Sequence, residues 1–337
     1  MNKTFLTIAF ALLFAVQAFA NDPRVNVTIV TDQADAVLNV LDKRAANKRS
    51  NSRDWRRLVN SEGYRRLKAR EESLGREFSE QAFIEFLNSP ELAARRTKLA
   101  ATLRAWRKMN VTAAGERALA YLPRTATIRA KIYPVIKPRD NSFVFDIRND
   151  PAIFVYIDPA VTPEQFENML AHELHHIGFG TACPAPKTQT ALNELSAPKQ
   201  SFYRWTGAFG EGFAMLAAAG GPDRHPHEFS NAEDRNRWDS DVQNFARDLK
   251  SVERFFLDIL DEKLTDHQIL TTARSFYGVQ GPWYTVGWRM AAEIETAFGR
   301  ERLIDCFCDQ RKLFETYNRA ATDKNVVWSR DFLRRLH

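Results

Sequence analysis

Three cysteines in 337 residues cannot build a disulfide scaffold, and 14 glycines and 14 prolines are too few for a collagen-like or low-complexity chain. Folding must therefore rest on apolar burial, for which a 44% hydrophobic content suffices. After the first twenty residues no apolar stretch is long enough to cross a bilayer. There is no zinc finger, base-stacking motif or phosphate loop, so charge alone would argue for a nucleic-acid partner, and none is expected.

The first twenty residues combine Lys3, an apolar run from Phe5 to Val16 and the small residues of Ala18-Phe19-Ala20. This pattern predicts a signal peptide over 1–20, because the run is shorter than the roughly 20 residues of a spanning helix. The product is expected to be secreted or periplasmic, with no lipid-attachable cysteine at the cleavage point. In an oxidising compartment Cys183, Cys306 and Cys308 allow at most one internal pair. Cys183 bridged to one of the other two, and all three as small buried hydrophobes, both stay open.

The net charge of +6 is unevenly spread: residues 43–124 hold 20 Lys and Arg against 9 Asp and Glu, whereas residues 125–337 come to −3. Trp55, Leu58, Val59 and Phe83, Phe86, Leu87 recur at helical steps between those charges, so 21–124 reads as a basic, helical N-terminal region. Its charges are expected to form a solvated outer face, with an anionic envelope surface as the alternative partner. Beyond Pro123, runs at 125–136, 142–147 and 152–157 are rich in Ile, Val, Phe and Tyr and predict a small sheet of three or four strands over 125–157. Thr162-Pro163-Glu164-Gln165 is a capping box with proline at the first helical position, and predicts a helix over 162–178. Helices are expected again near 205–219, 238–262, 265–276, 283–298 and 309–321. The fold class is α+β and mainly helical, with 125–337 as the chemical domain.

His172-Glu173-Leu174-His175-His176 lies on the capped helix and contains H-E-x-x-H. The four-residue step stacks His172 and His176 on one face, where both imidazoles reach a single ion, and Glu173 falls beside them as a base for water. His175 is out of register and is read as supporting a ligand or partly exposed. Phe166, Met169, Leu170 and Leu174 are expected to bury the opposite side of the helix. His225-Pro226-His227 is read as a surface loop rather than a second metal site.

A third ligand is required, and two glutamates compete. Glu194 lies 18 residues after His176, but Pro198 would break a helix there. Glu211 lies in Gly210-Glu211-Gly212-Phe213-Ala214, a helix stopped by Gly220-Gly221, and is preferred. Gly207, Gly210 and Gly212 each cost about 1 kcal/mol relative to Ala in a helix, an expense explained if the backbone approaches the motif helix closely.

H-E-x-x-H followed by E-G-F-A resembles the gluzincin metallopeptidases, in particular their aminopeptidase-like branch. Tyr284-Thr285-Val286-Gly287 resembles that branch's Y-x-x-G segment. The resemblance implies a zincin-like domain, one Zn2+ held by His172, His176 and Glu211, Glu173 as general base and Tyr284 as oxyanion donor, acting on a peptide or protein substrate. By its own surroundings, between Trp283 and Trp288, Tyr284 would read as a core anchor. Two departures stand out. The 34 residues between His176 and Glu211 require an inserted loop containing Pro184 and Pro186, and the signature that captures a substrate's free amine is absent. Rival expectations are an amide hydrolase of envelope polymers such as peptidoglycan, and a non-catalytic secreted binding protein with a basic face.

Overall fold

Four strands form one mixed sheet in the order β1-β2-β4-β3 in the computed structural model of the protein, which describes residues 22–183 and 193–336. The expected signal segment lies outside the described residues, as does the Pro184 and Pro186 loop. β2 (Ile128–Val135) runs parallel to both β1 (Val25–Ile29) and β4 (Ala152–Tyr156), while β3 (Phe143–Phe145) is antiparallel to β4. The strands β2, β3 and β4 fall inside the three expected runs.

β1 corrects the expectation that 21–124 is helical throughout. Val25 and Val27 are buried and pair with Ile128 and Ala130, about a hundred residues away. Five alternating residues carry little signal alone, and their partner lies across a long connection. Parallel neighbours need a crossover. Here it is made by helices from α1 (Asp32–Ala45) to α6 (Val111–Leu119). These helices share one apolar core with the sheet and with the motif helix α7 (Pro163–Ala182), through Val37, Leu41, Trp106, Ile153, Phe166 and Leu174. Arg53, Arg56 and Arg57 face solvent, as a solvated basic face requires.

α7 begins as its sequence predicts. The Thr162 hydroxyl accepts from the Gln165 amide at 3.2 Å, and the Gln165 side chain accepts from the Thr162 amide at 2.8 Å. It continues past the expected end at Gly178, because that glycine is packed rather than terminal: a Cβ there would lie 2.3 Å from Leu122 Cδ1. At its end Cys183 is bonded to Cys308, with Cα atoms 5.4 Å apart, and Cys306 is buried and free. This crosslink spans a sequence separation of 125 and would stabilise the fold by roughly 4–5 kcal/mol in the chain-entropy account.

The C-terminal helices enclose a second core around Phe209, Phe256, Trp283, Phe314 and Trp328. Where one helix was expected over 205–219 there are a helix Ala197–Thr206, a 3₁₀ turn Gly207–Phe209 and a glutamate helix Gly210–Ala219. Pro198 opens the first of these instead of breaking one. The helix carrying Tyr284, Pro282–Phe298, crosses the glutamate helix at two glycines. A Cβ on Gly212 would fall 2.1 Å from the Trp288 amide nitrogen and 2.5 Å from the Tyr284 carbonyl oxygen, and one on Gly287 would fall 2.7 Å from the Phe209 carbonyl oxygen. The close approach marked by Gly212 is therefore to the tyrosine helix, while the glutamate helix packs against α7 as well. Gly207 and Gly210 face open space.

Gly212→Ala should thus cost about 3 kcal/mol or more, since backbone atoms must move. Gly207→Ala and Gly210→Ala, both at helical φ of −60° and −52°, should each stabilise by roughly 0.5–1 kcal/mol. Urea unfolding midpoints check this. A wild-type midpoint for Gly212→Ala would contradict the crossing.

Candidate metal centre

Two helices supply three donor atoms to one point. His172 and His176 extend from the same face of α7, their Nε2 atoms 3.1 Å apart, and each lies 3.2 Å from Glu211 Oε2. These residues form the metal-competent group of His, Cys, Asp and Glu found among the described residues. Of the two competing glutamates, Glu211 joins the cluster, whereas Glu194 is exposed and outside it.

The donor set fits a metal ion. Bonds of about 2.0–2.2 Å in tetrahedral geometry separate ligand atoms by roughly 3.3–3.5 Å, close to the spacing observed. Protons satisfy such a triangle poorly, because two imidazole lone pairs and a carboxylate converge where only an N–H could mediate. A divalent cation satisfies all three at once. Three protein ligands also leave a tetrahedral position open.

The electrostatics agree. Burial alone would push the Glu211 carboxyl up, but hydrogen bonds and charge from His172 and His176 outweigh it and hold the group well below the usual carboxylate range. Glu211 also occupies the first turn of its helix, where the dipole favours negative charge. Burial pulls His176 down, yet Glu211, aided by the charge of Glu173, leaves it above the ordinary imidazole value. Tyr284 is pushed well up, first by burial and then by Glu211 and Glu173, so it remains protonated. Its ring lies parallel to His172 at 6.4 Å between centroids. The charge of Glu173, which follows His172 on α7, contributes to the upward shift of both His176 and Tyr284.

The supports of this centre come from several elements. Arg117 on α6 pairs with Glu167 on α7 and donates to the Ala218 carbonyl of the glutamate helix at 3.3 Å, linking both ligand-bearing helices. Trp106 stacks on Phe166 behind α7 at 4.2 Å. His175 does not reach solvent, and its ring meets that of His176 edge-on at 6.5 Å between centroids. It is fully buried beside Phe179 and Phe307, without a hydrogen-bond partner for either ring nitrogen, and burial lowers it to about 3.

Two further expectations need correction. Met169 packs against the core of Phe166, Leu170 and Leu174 but is only partly buried; three residues before His172, it also lines the cleft there. His225 stays in a surface turn, 2.9 Å from Asp239, but His227 turns inward, 8% exposed, and borders the same cleft. The sequence signal for His227 was the His-Pro-His spacing, whose second histidine is carried under the turn against Trp238.

Protons and metal compete for the same lone pairs. Since His176 binds its proton more tightly than a free imidazole, metal affinity should be full at alkaline pH and begin to fall, as pH drops, before the ordinary imidazole value of about 6.5 is reached. Metal content after dialysis between pH 8 and 5 measures this, and a flat profile would contradict it. At pH 8, Glu211→Ala should lose stoichiometric metal while Glu194→Ala keeps it; the reverse pattern would move the third ligand to Glu194.

No curated protein and no solved structure matches the chain. One protein-family model does, over residues 43–326, a span that takes in the basic helices from residue 43 on, strands β2 to β4 and the converging His172, His176 and Glu211. By that match the chain belongs to the family described as "Putative zinc dependent peptidase (DUF5700)".

Proposed function

We propose that the protein is a zinc-dependent peptidase of the gluzincin type, with His172, His176 and Glu211 as metal ligands, Glu173 as general base and Tyr284 as oxyanion donor. The observation that carries this reading is the triangle of two imidazole nitrogens and one carboxylate oxygen at 3.1–3.2 Å, with a second glutamate adjoining it on the same helix. A purely structural site would have no need of that second glutamate. The family's description and the small sheet beside α7 support a zincin-like catalytic arrangement.

When bound, a zinc ion supplies Lewis-acid polarisation of the scissile carbonyl and makes a water easier to deprotonate. Glu173 takes the proton from the attacking water and returns it to the nitrogen of the departing amine. Tyr284, kept protonated by burial and by two neighbouring carboxylates, donates to the carbonyl oxygen as that atom gains charge. Arg117 holds the two ligand-bearing helices in register, which limits reorganisation during the reaction.

Export through a signal peptide at 1–20 to a secreted or periplasmic location belongs to the same reading. The Cys183–Cys308 bond supports it, because such bridges persist in oxidising compartments. Among the described residues no helix is long and apolar enough to cross a membrane. The basic helices 43–124 join the sheet and α7 in one core, so we assign them a structural part in the catalytic unit, with their exposed charges available to an anionic envelope surface.

Glu173→Gln should keep one zinc per chain and lose at least about 100-fold in kcat. Tyr284→Phe should keep zinc and lose on the order of 100-fold in kcat with little change in KM. Metal analysis beside steady-state kinetics on a peptide mixture separates these effects. Full turnover by Glu173→Gln would remove the assigned base.

A further inference from the structure

A cleft of about 500 Å³ opens beside His172 and Tyr284. Its composition departs from that of the chain. Of its fourteen lining residues none is Asp, Glu, Lys or Arg, although 27% of the chain is charged, so three or four charges would be expected by composition alone. Met169 and Met215 form its apolar walls next to His172. Phe229 and Val279 stand at its rim, 38% and 69% exposed, among the few large hydrophobic side chains left open to water. Apolar groups exposed around a concave opening mark a place where a ligand is bound. His227 adds no charge to the wall, because burial lowers its imidazole to about 4.

The rim also stores strain. Gln280 has φ of 135° and lies between Gly278, at φ 50°, and Gly281, where a Cβ would meet the Phe276 carbonyl oxygen at 2.7 Å. A side chain at that φ is disfavoured, and glycine would hold the same turn at lower cost. The Gln280 Oε1 atom is moreover buried without a hydrogen-bond partner. The fold gains nothing from this residue that a glycine would not supply. An occupant of the cleft changes that balance, since turning the amide toward a peptide N–H exchanges an orphaned oxygen for a hydrogen bond.

We propose that this cleft is the side-chain pocket next to the scissile bond, that it selects a bulky uncharged residue of the Leu, Met or Phe class and rejects Asp, Glu, Lys and Arg, and that Gln280 contacts the bound peptide. The proposal rests on the peptidase reading above. Its physical basis is desolvation: a charged side chain entering this wall loses water and meets no Asp, Glu, Lys or Arg in the lining, whereas an apolar one gains contact with two methionines and two rim residues. Methionine walls adapt to several apolar shapes, so the preference covers a class and not one residue.

The test is digestion of an equimolar peptide mixture by the zinc-loaded full chain, with cleavage sites read by mass spectrometry. One position flanking the cleaved bond should favour Leu, Met and Phe over the four charged residues by at least tenfold in kcat/KM. Val279→Glu, at a site exposed enough to leave folding intact, should raise acceptance of Lys and Arg there at least fivefold. Gln280→Gly should raise Tm and lower kcat/KM for the preferred peptide at least fivefold, mainly through KM. Cleavage with no such preference, or with charge accepted equally at both flanking positions, overturns the pocket while leaving the peptidase reading in place. No cleavage of any peptide by zinc-loaded protein overturns both. A Gln280→Gly variant with raised Tm and unchanged kcat/KM overturns the role given to Gln280.

Discussion

The contact on which the site depends is the crossing of two helices through Gly212 and Gly287, where backbone meets backbone with no side chain between. Glu211 is adjacent to one of these glycines, and Tyr284 lies one turn before the other. Both residues are thus placed by the same close approach, and small errors in helix position cannot accumulate over a long lever. α7 contributes the remaining donors from a helix whose opposite side is fixed in the first core by Phe166, Leu170 and Leu174. The metal-competent centre lies on the seam between two apolar cores, with Ala218 of the glutamate helix in one and Phe213, Leu216 and Ala217 in the other.

Placing donors on such a seam has an energetic cost that the surrounding structure must offset. A carboxylate and two imidazoles are taken from water and aimed at one another, an arrangement that is unfavourable until a cation is present. Offsetting contributions come from the two cores, from the Cys183–Cys308 crosslink at the end of α7 and from Arg117, which joins α6, α7 and the glutamate helix. Gln280, at φ 135°, places a strained residue at the rim of the cleft, away from the three converging donors. On the proposed reading, rigid donors and an adjustable rim suit a site that holds an ion constantly and a substrate briefly.

Much of this was legible in local sequence. The capping box at Thr162 and Gln165 positioned α7, the four-residue step placed His172 and His176 together, and E-G-F-A with its glycine stop identified the helix of Glu211. These features depend on neighbours within a turn or two, which is why a linear reading reaches them. What was not legible depends on distant partners. β1 finds its pairing strand a hundred residues away, and Gly212 declares a close approach without saying to which helix. Met169 has the same apolar character as Phe166 and Leu170, and only its angular position three residues before His172 lets it line the cleft while it packs on the core. His227 is carried inward by a turn whose composition reads as surface. His175 shows the converse, a polar residue near the motif that the fold encloses among Phe179 and Phe307.

The proposed function requires that one ion be held by the three side chains that converge, with a coordination position left for solvent. An anomalous-scattering map at the zinc edge, from crystals grown with one equivalent of zinc, addresses it directly. The account predicts a single peak within about 2.0–2.2 Å of His172 Nε2, His176 Nε2 and a Glu211 oxygen, and no fourth protein ligand. A peak elsewhere, or a site closed by a fourth side chain, would contradict it.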